Sequence, residues 1–130
     1  ARSHGATRPL ADIDLDLPDE ALAALQPALA PFVVDPPHRH RSDSWDLLLC
    51  TLDHHGQLVD LAGGTSCRIF DRAHDQWRDD PFHPHEVVHR EIFGRVVPVV
   101  PRADLLAYKR ALDRDVDRID VAQIEAATPD

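Results

Sequence analysis

The stretch TRPLADIDLD, Thr7 to Asp16, sets Asp12, Asp14 and Asp16 on alternate positions of an apolar run. A strand alternates its faces with a period of two, so the three carboxylates share one face and Ile13, Leu15 and Leu17 take the packed one. Like charges on one sheet face repel. They are tolerable when solvated and useful when a cation sits between them. Hard divalent cations take oxygen ligands, and Mg2+ is commonly held by a few carboxylates together with substrate phosphates. Asp12 and Asp14 on a rigid strand would pre-orient such ligands, which is what phosphoryl or nucleotidyl transfer requires. Asp60 is the candidate third carboxylate. Its neighbours Leu58, Val59 and Leu61 mark a central strand, where a lone charge needs a partner or an ion. A half-exposed strand with a wet face shows the same alternation, so pattern alone leaves both readings open.

The elements that position these residues follow from periodicity and punctuation. After a turn at ATRP, ADIDLDL is the first strand. LPDEALAALQPALAPF is helical, with Leu22, Leu25 and Leu29 on one face and a kink or division at Pro27. VVDPPHRHRSD is a short extended piece that runs into a polar loop. WDLLLCTLD, the turn HHG and QLVDLAGG make a hairpin. The segment from Gly64 to Glu91 reads as short strands or loops, and GRVVPVV as a short strand. PRADLLAYKRALDRD is a helix with Leu105, Leu106, Leu112 and Val116 in one apolar band. VDRIDVAQIEAA continues it or forms a final helix. The expected class is α+β, a small mixed sheet backed by helices in a single domain over residues 1–130.

The chain of 130 residues with 43% apolar content is long enough for a two-layer core. No window approaches the ~20 apolar residues of a membrane span, and no leader opens the chain, so a cytoplasmic protein without a membrane partner is expected. The formal net charge of −9 disfavours non-specific capture by DNA. It leaves room for an RNA gripped by a local arginine cluster, and it suits a cationic small molecule. Cys50 and Cys67 make no disulfide framework. The absence of methionine, and an opening ARSHGATRP that reads as a helix tail before a glycine turn, suggest that an N-terminal strand and most of a first helix lie upstream of Ala1.

HGATRPLADIDL, with LVDL further along and VPVVPRADLLAYKRALDRDVDRIDV after it, resembles the nucleotidyltransferase superfamily of the DNA polymerase beta type. The nearest branches are the minimal proteins related to AbiEii and MenT toxins and the lincosamide or aminoglycoside nucleotidyltransferases. The resemblance runs from about His4 to Ile124 and is thin between Asp71 and Arg90. It implies that Asp12 and Asp14 are paired metal ligands for Mg2+, with Mn2+ an alternative, and that Asp60 is a third carboxylate acting on the acceptor hydroxyl. Asp104, Leu105, Lys109, Arg114, Asp117 and Asp120 follow the family's late motif, in which Lys109 contacts the nucleotide phosphates. A lysine tip is a mobile point charge well suited to that task. The activity implied is transfer of a nucleotide from a nucleoside triphosphate to a hydroxyl acceptor. The toxin branch, preferred because the chain is so short, implies a transfer RNA end and a small antitoxin partner; the alternative branch implies a lincosamide or aminoglycoside.

Two departures from that family stand out. The glycine-glycine or glycine-serine pair that holds nucleotide phosphates is not in this stretch; without it, a catalytically inactive binding or regulatory module of the same fold is the alternative. Leu10 also stands where relatives carry threonine or serine, and Thr7 is the hydroxyl that would replace it. Arg114, Asp117 and Asp120 share one helix face and are read as a clamp holding the helix to the sheet, over a direct ligand contact. His38 and His40, His54 and His55, and His83, His85 and His89 are read as solvated loops rather than zinc ligands. Arg39 to Arg41, with Arg68, Arg72 and Arg78, form the best positive edge for an RNA backbone. The plainer alternative is salt bridges to Asp43, Asp71 and Asp75.

Overall fold

The computed structural model describes residues 1–127. They form two compact units: residues 10–70 with 77–82, a sheet unit, and residues 1–9, 71–76 and those from 83 onward, a helical unit.

In the sheet unit, β1 (Ile13–Leu17), β4 (Gln57–Asp71), β3 (Trp45–His54) and β2 (Val33–Arg41) lie side by side in that order, and β5 (Gln76–Asp79) pairs with β4. β1 runs parallel to β4, while β3 is antiparallel to both its neighbours. The β3–β4 hairpin turns on His55 and Gly56, with φ of 52° and 89°. Two positive φ angles are what a two-residue hairpin turn requires, and Asp53 Oδ1 accepts the Gly56 N–H at 2.7 Å. Between β1 and β2 the chain passes through α1 (Asp19–Ala24), α2 (Gln26–Leu29) and a 3-10 turn, Ala30–Phe32. The division falls where Pro27 enters the first turn of α2, as the missing proline N–H dictates. Leu22, Cys50, Leu52 and Leu61 form the core of this unit, with Leu17, Leu29, Phe32 and Val59 against it.

Three expectations for this unit are corrected. Of the β1 residues expected to be packed, only Leu17 is: Ile13 and Leu15 keep 44% and 49% exposure, because β1 is the edge strand. Second, β2 continues through His38, Arg39 and His40 to Arg41, so these residues are strand rather than loop. Pro36 and Pro37 are tolerated there because β2 is also an edge strand and its register slips between Val33 and His38. Third, β4 does not stop at Gly63 and Gly64 but runs on to Asp71. Those glycines serve close approach: a Cβ at Gly63 would lie 2.6 Å from Asp19 Oδ1, and one at Gly64 2.2 Å from the Phe82 Cβ.

The helical unit begins with a 3-10 turn, Arg2–His4, closed by Gly5 at a φ of 107°. β6 (Val88–Ile92) and β7 (Arg95–Val99) form an antiparallel pair. α3 (Arg102–Leu112) ends at Asp113, whose φ is 50°, and α4 (Asp115–Ala126) follows. Val116, expected in the α3 band, therefore belongs to α4 and is exposed. Ala6, Leu105, Leu106 and Ile124 make the core here. The fold is α+β, with a mixed sheet and four helices among the described residues, and no described helix is long and apolar enough to cross a membrane.

Candidate metal centre

The sheet register brings the predicted carboxylates together. Asp14 on β1 pairs across with Asp60 on β4, so both side chains rise from the same face. Asp12, two residues before Asp14, shares that face. One oxygen from each of Asp12, Asp14 and Asp60 lies within 4.8 Å of the others. Asp60 is anchored from the other side: Thr51, its register partner on β3, donates from Oγ1 to Asp60 Oδ1 at 2.7 Å.

Electrostatics at this cluster are unfavourable for carboxylates by themselves. Asp14 is exposed as a residue, yet its carboxyl is crowded by neighbouring chain. Loss of hydration, then repulsion from Asp12, Asp60 and Asp16, push it up to about 6. Asp16, next along the same face, is also raised, by burial and by Asp80. Such a site gains from a counter-charge. An all-oxygen donor set at this spacing fits a hard cation such as Mg2+ or Mn2+ and lacks the nitrogen or sulfur ligands that zinc favours.

Of the late motif, Lys109, Arg114, Asp117 and Asp120 belong to the helical unit and are engaged there. Lys109 is 7% exposed, and its Nζ lies 2.8 Å from Asp120 Oδ2 and 3.3 Å from Asp117 Oδ1. Arg114 donates from Nε and Nη2 to both oxygens of Asp117, and Asp117 also accepts the Arg114 backbone N–H, capping α4. Arg8 holds both oxygens of Asp120, at 2.7 and 3.0 Å. Burial alone would raise Asp117 and Asp120, but the surrounding cations hold both below the ordinary carboxylate range. These ion pairs fasten α4 to α3 and to the N-terminal segment. Thr7 meets α4 through its backbone, donating its N–H to Gln123 Oε1 at 2.7 Å.

Within the sheet unit Arg39, Arg41 and Arg68 pair with carboxylates other than Asp43, Asp71 and Asp75. Arg39 bonds Asp46 Oδ1 at 2.6 Å and Ser66 Oγ at 2.7 Å, and Arg41 also reaches Asp46. Arg68 pairs with Asp79. In the helical unit, Arg72 caps the C-terminal end of α3 through the Leu112 carbonyl.

A crystal structure of protein TM1012 from Thermotoga maritima, a proposed nucleotidyltransferase, matches this chain with a TM-score of 0.65 at 18% identity, over 93% of this chain and 71% of that one. The likeness establishes the fold. No protein-family model matches the chain, and no curated protein matches it by sequence. Sequence reasoning brought Asp12, Asp14 and Asp60 into view and missed Thr51. A two-residue turn at His55 and Gly56 sets Thr51 opposite Asp60, so counting back from that turn is the signal that finds it.

Proposed function

We propose that this chain is a metal-dependent nucleotidyltransferase, moving a nucleotide from a nucleoside triphosphate to a hydroxyl acceptor. The observation that supports this best is the convergence of Asp12, Asp14 and Asp60 oxygens within 4.8 Å of one another on a sheet of nucleotidyltransferase fold. A bound Mg2+ or Mn2+ would supply charge compensation for the phosphates. Asp14 on the edge strand and Asp12 just before it would hold that ion. Asp60, tied on one oxygen by Thr51, orients the acceptor hydroxyl and takes its proton as the oxygen attacks the α-phosphorus in line with the departing pyrophosphate. The triphosphate contact that the resemblance assigns to Lys109 would use the N–H group beyond its two carboxylate partners. Thr7 and Arg114 are assigned to the nucleotide on the same ground.

The acceptor divides the reading. A transfer RNA end, with a small antitoxin as protein partner, is the choice of the toxin branch. It calls for cations to grip the backbone, and Arg39 and Arg41 are already held by Asp46. A cationic acceptor such as an aminoglycoside is favoured by the net charge of −9. Incubation with each α-labelled nucleoside triphosphate, Mg2+, total RNA and an antibiotic panel separates them. Label should enter one acceptor class and disappear in Asp14→Asn and with EDTA. Heat on titration with a nucleotide, but no transfer to either class, would instead identify a binding module of this fold.

A further inference from the structure

We infer that Thr51 is a positioning residue of the candidate metal centre, acting through Asp60; the inference rests on reading the three carboxylates as a cation site. Asp14, Asp60 and Thr51 are successive register partners on β1, β4 and β3, and so form one row across the sheet. Neighbouring strands lie about 5 Å apart, within reach of short side chains. Thr51 uses that reach, donating to Asp60 Oδ1 at 2.7 Å. The acceptor is a carboxylate, so this hydrogen bond belongs to the stronger, charge-assisted class.

Three features set this contact apart from incidental sheet bonding. The end torsion of an aspartate is soft and broadly populated, so an unassisted Asp60 would sample many carboxylate orientations. The Thr51 bond commits Oδ1 to the sheet and leaves Oδ2 outside that bond. Next, β3 is apolar on the N-terminal side of this point, through Leu47, Leu48, Leu49 and Cys50, and Thr51 brings a hydroxyl to the row that holds the carboxylates. Last, threonine is β-branched and stiff at its first side-chain torsion, so its hydroxyl is aimed before the cation arrives.

The test is Mn2+ titration, followed by the electron paramagnetic resonance signal of the free ion, on the whole chain and on Thr51→Val, Thr51→Ser and Asp14→Asn. Circular dichroism checks that each variant is folded. Valine matches the shape of threonine without the donor; serine keeps the donor. Residues that orient metal ligands typically contribute about 10–100-fold to affinity. Thr51→Val should therefore raise the Mn2+ dissociation constant about tenfold or more, with Thr51→Ser restoring most of it and Asp14→Asn binding least. Equal binding by Thr51→Val and wild type, alongside loss in Asp14→Asn, overturns the role of Thr51 and leaves the cation site standing. Equal weakening by valine and serine also overturns it, because packing rather than the hydroxyl would then matter. Wild type that binds no Mn2+, or binds it no better than Asp14→Asn, overturns both readings.

Discussion

The helical and sheet units each gather aspartates, to opposite effect. Asp117 and Asp120 are 0% exposed, yet Arg8, Lys109 and Arg114 surround them and hold them below the ordinary carboxylate range despite their burial. Asp12, Asp14 and Asp60 converge on a more open face, and there Asp14 is raised to about 6 by lost hydration and by its acidic neighbours. The first group is complete within the protein and fastens helices. In the second, Asp14 meets like charge from Asp12, Asp60 and Asp16, which the cation of the proposed function would offset. The two groups differ in the charge their neighbours supply: arginine and lysine around Asp117 and Asp120, acidic side chains around Asp14.

The largest effect should follow from opening the completed cluster. Lys109→Met leaves two buried carboxylates under-compensated and should lower unfolding free energy by about 3–5 kcal/mol, read by urea denaturation; unchanged stability would mean that Arg8 and Arg114 suffice. At the sheet cluster the stability effect should reverse. Asp14→Asn should cut nucleotide transfer by at least ~100-fold, beyond what an outer-shell partner typically costs. In metal-free buffer the same variant should melt higher than wild type, because repulsion is relieved. A drop in melting temperature would break the contrast.

The pH dependence follows the same division. Asp14 binds its proton more tightly when folded, so its contribution to stability is most favourable at low pH and is lost as pH rises from about 4 to about 6. Asp117 and Asp120 bind theirs less tightly when folded. Their stabilisation is complete above the ordinary carboxylate range and disappears as pH falls through and below it. Metal-free thermal melts on wild type and Asp14→Asn should therefore diverge most above pH 6. The smallest effect belongs to the surface: Arg110→Ala, which removes the exposed pair with Glu125, should cost less than about 1 kcal/mol in the same urea assay.

Much of this contrast could be read from local pattern. Alternation in DIDLD put the aspartates on one face, and the HHG turn tied β3 to β4, because both signals depend on backbone period and turn chemistry alone. Edge position was not readable in the same way. Ile13 and Leu15 carry the pattern of a packed face and stay half open because nothing in DIDLD says that β1 has a neighbour on one side only. Edge position also explains why Pro36 and Pro37, sound signals of a loop, sit inside β2. The partners of Arg39 and of Lys109 depend on contacts across the fold: Asp46 comes from the next strand, and Asp117 and Asp120 from the next helix. Gly63 and Gly64 suggested a strand end, whereas packing of Asp19 and Phe82 against β4 requires them.

The central claim is that Asp12, Asp14 and Asp60 share one divalent cation, and crystals grown with MnCl2 test it most directly through the manganese anomalous signal. The account predicts a peak bounded by oxygens of all three aspartates, absent from crystals of Asp14→Asn. Manganese bound elsewhere on the chain, with no density between these carboxylates, would contradict it.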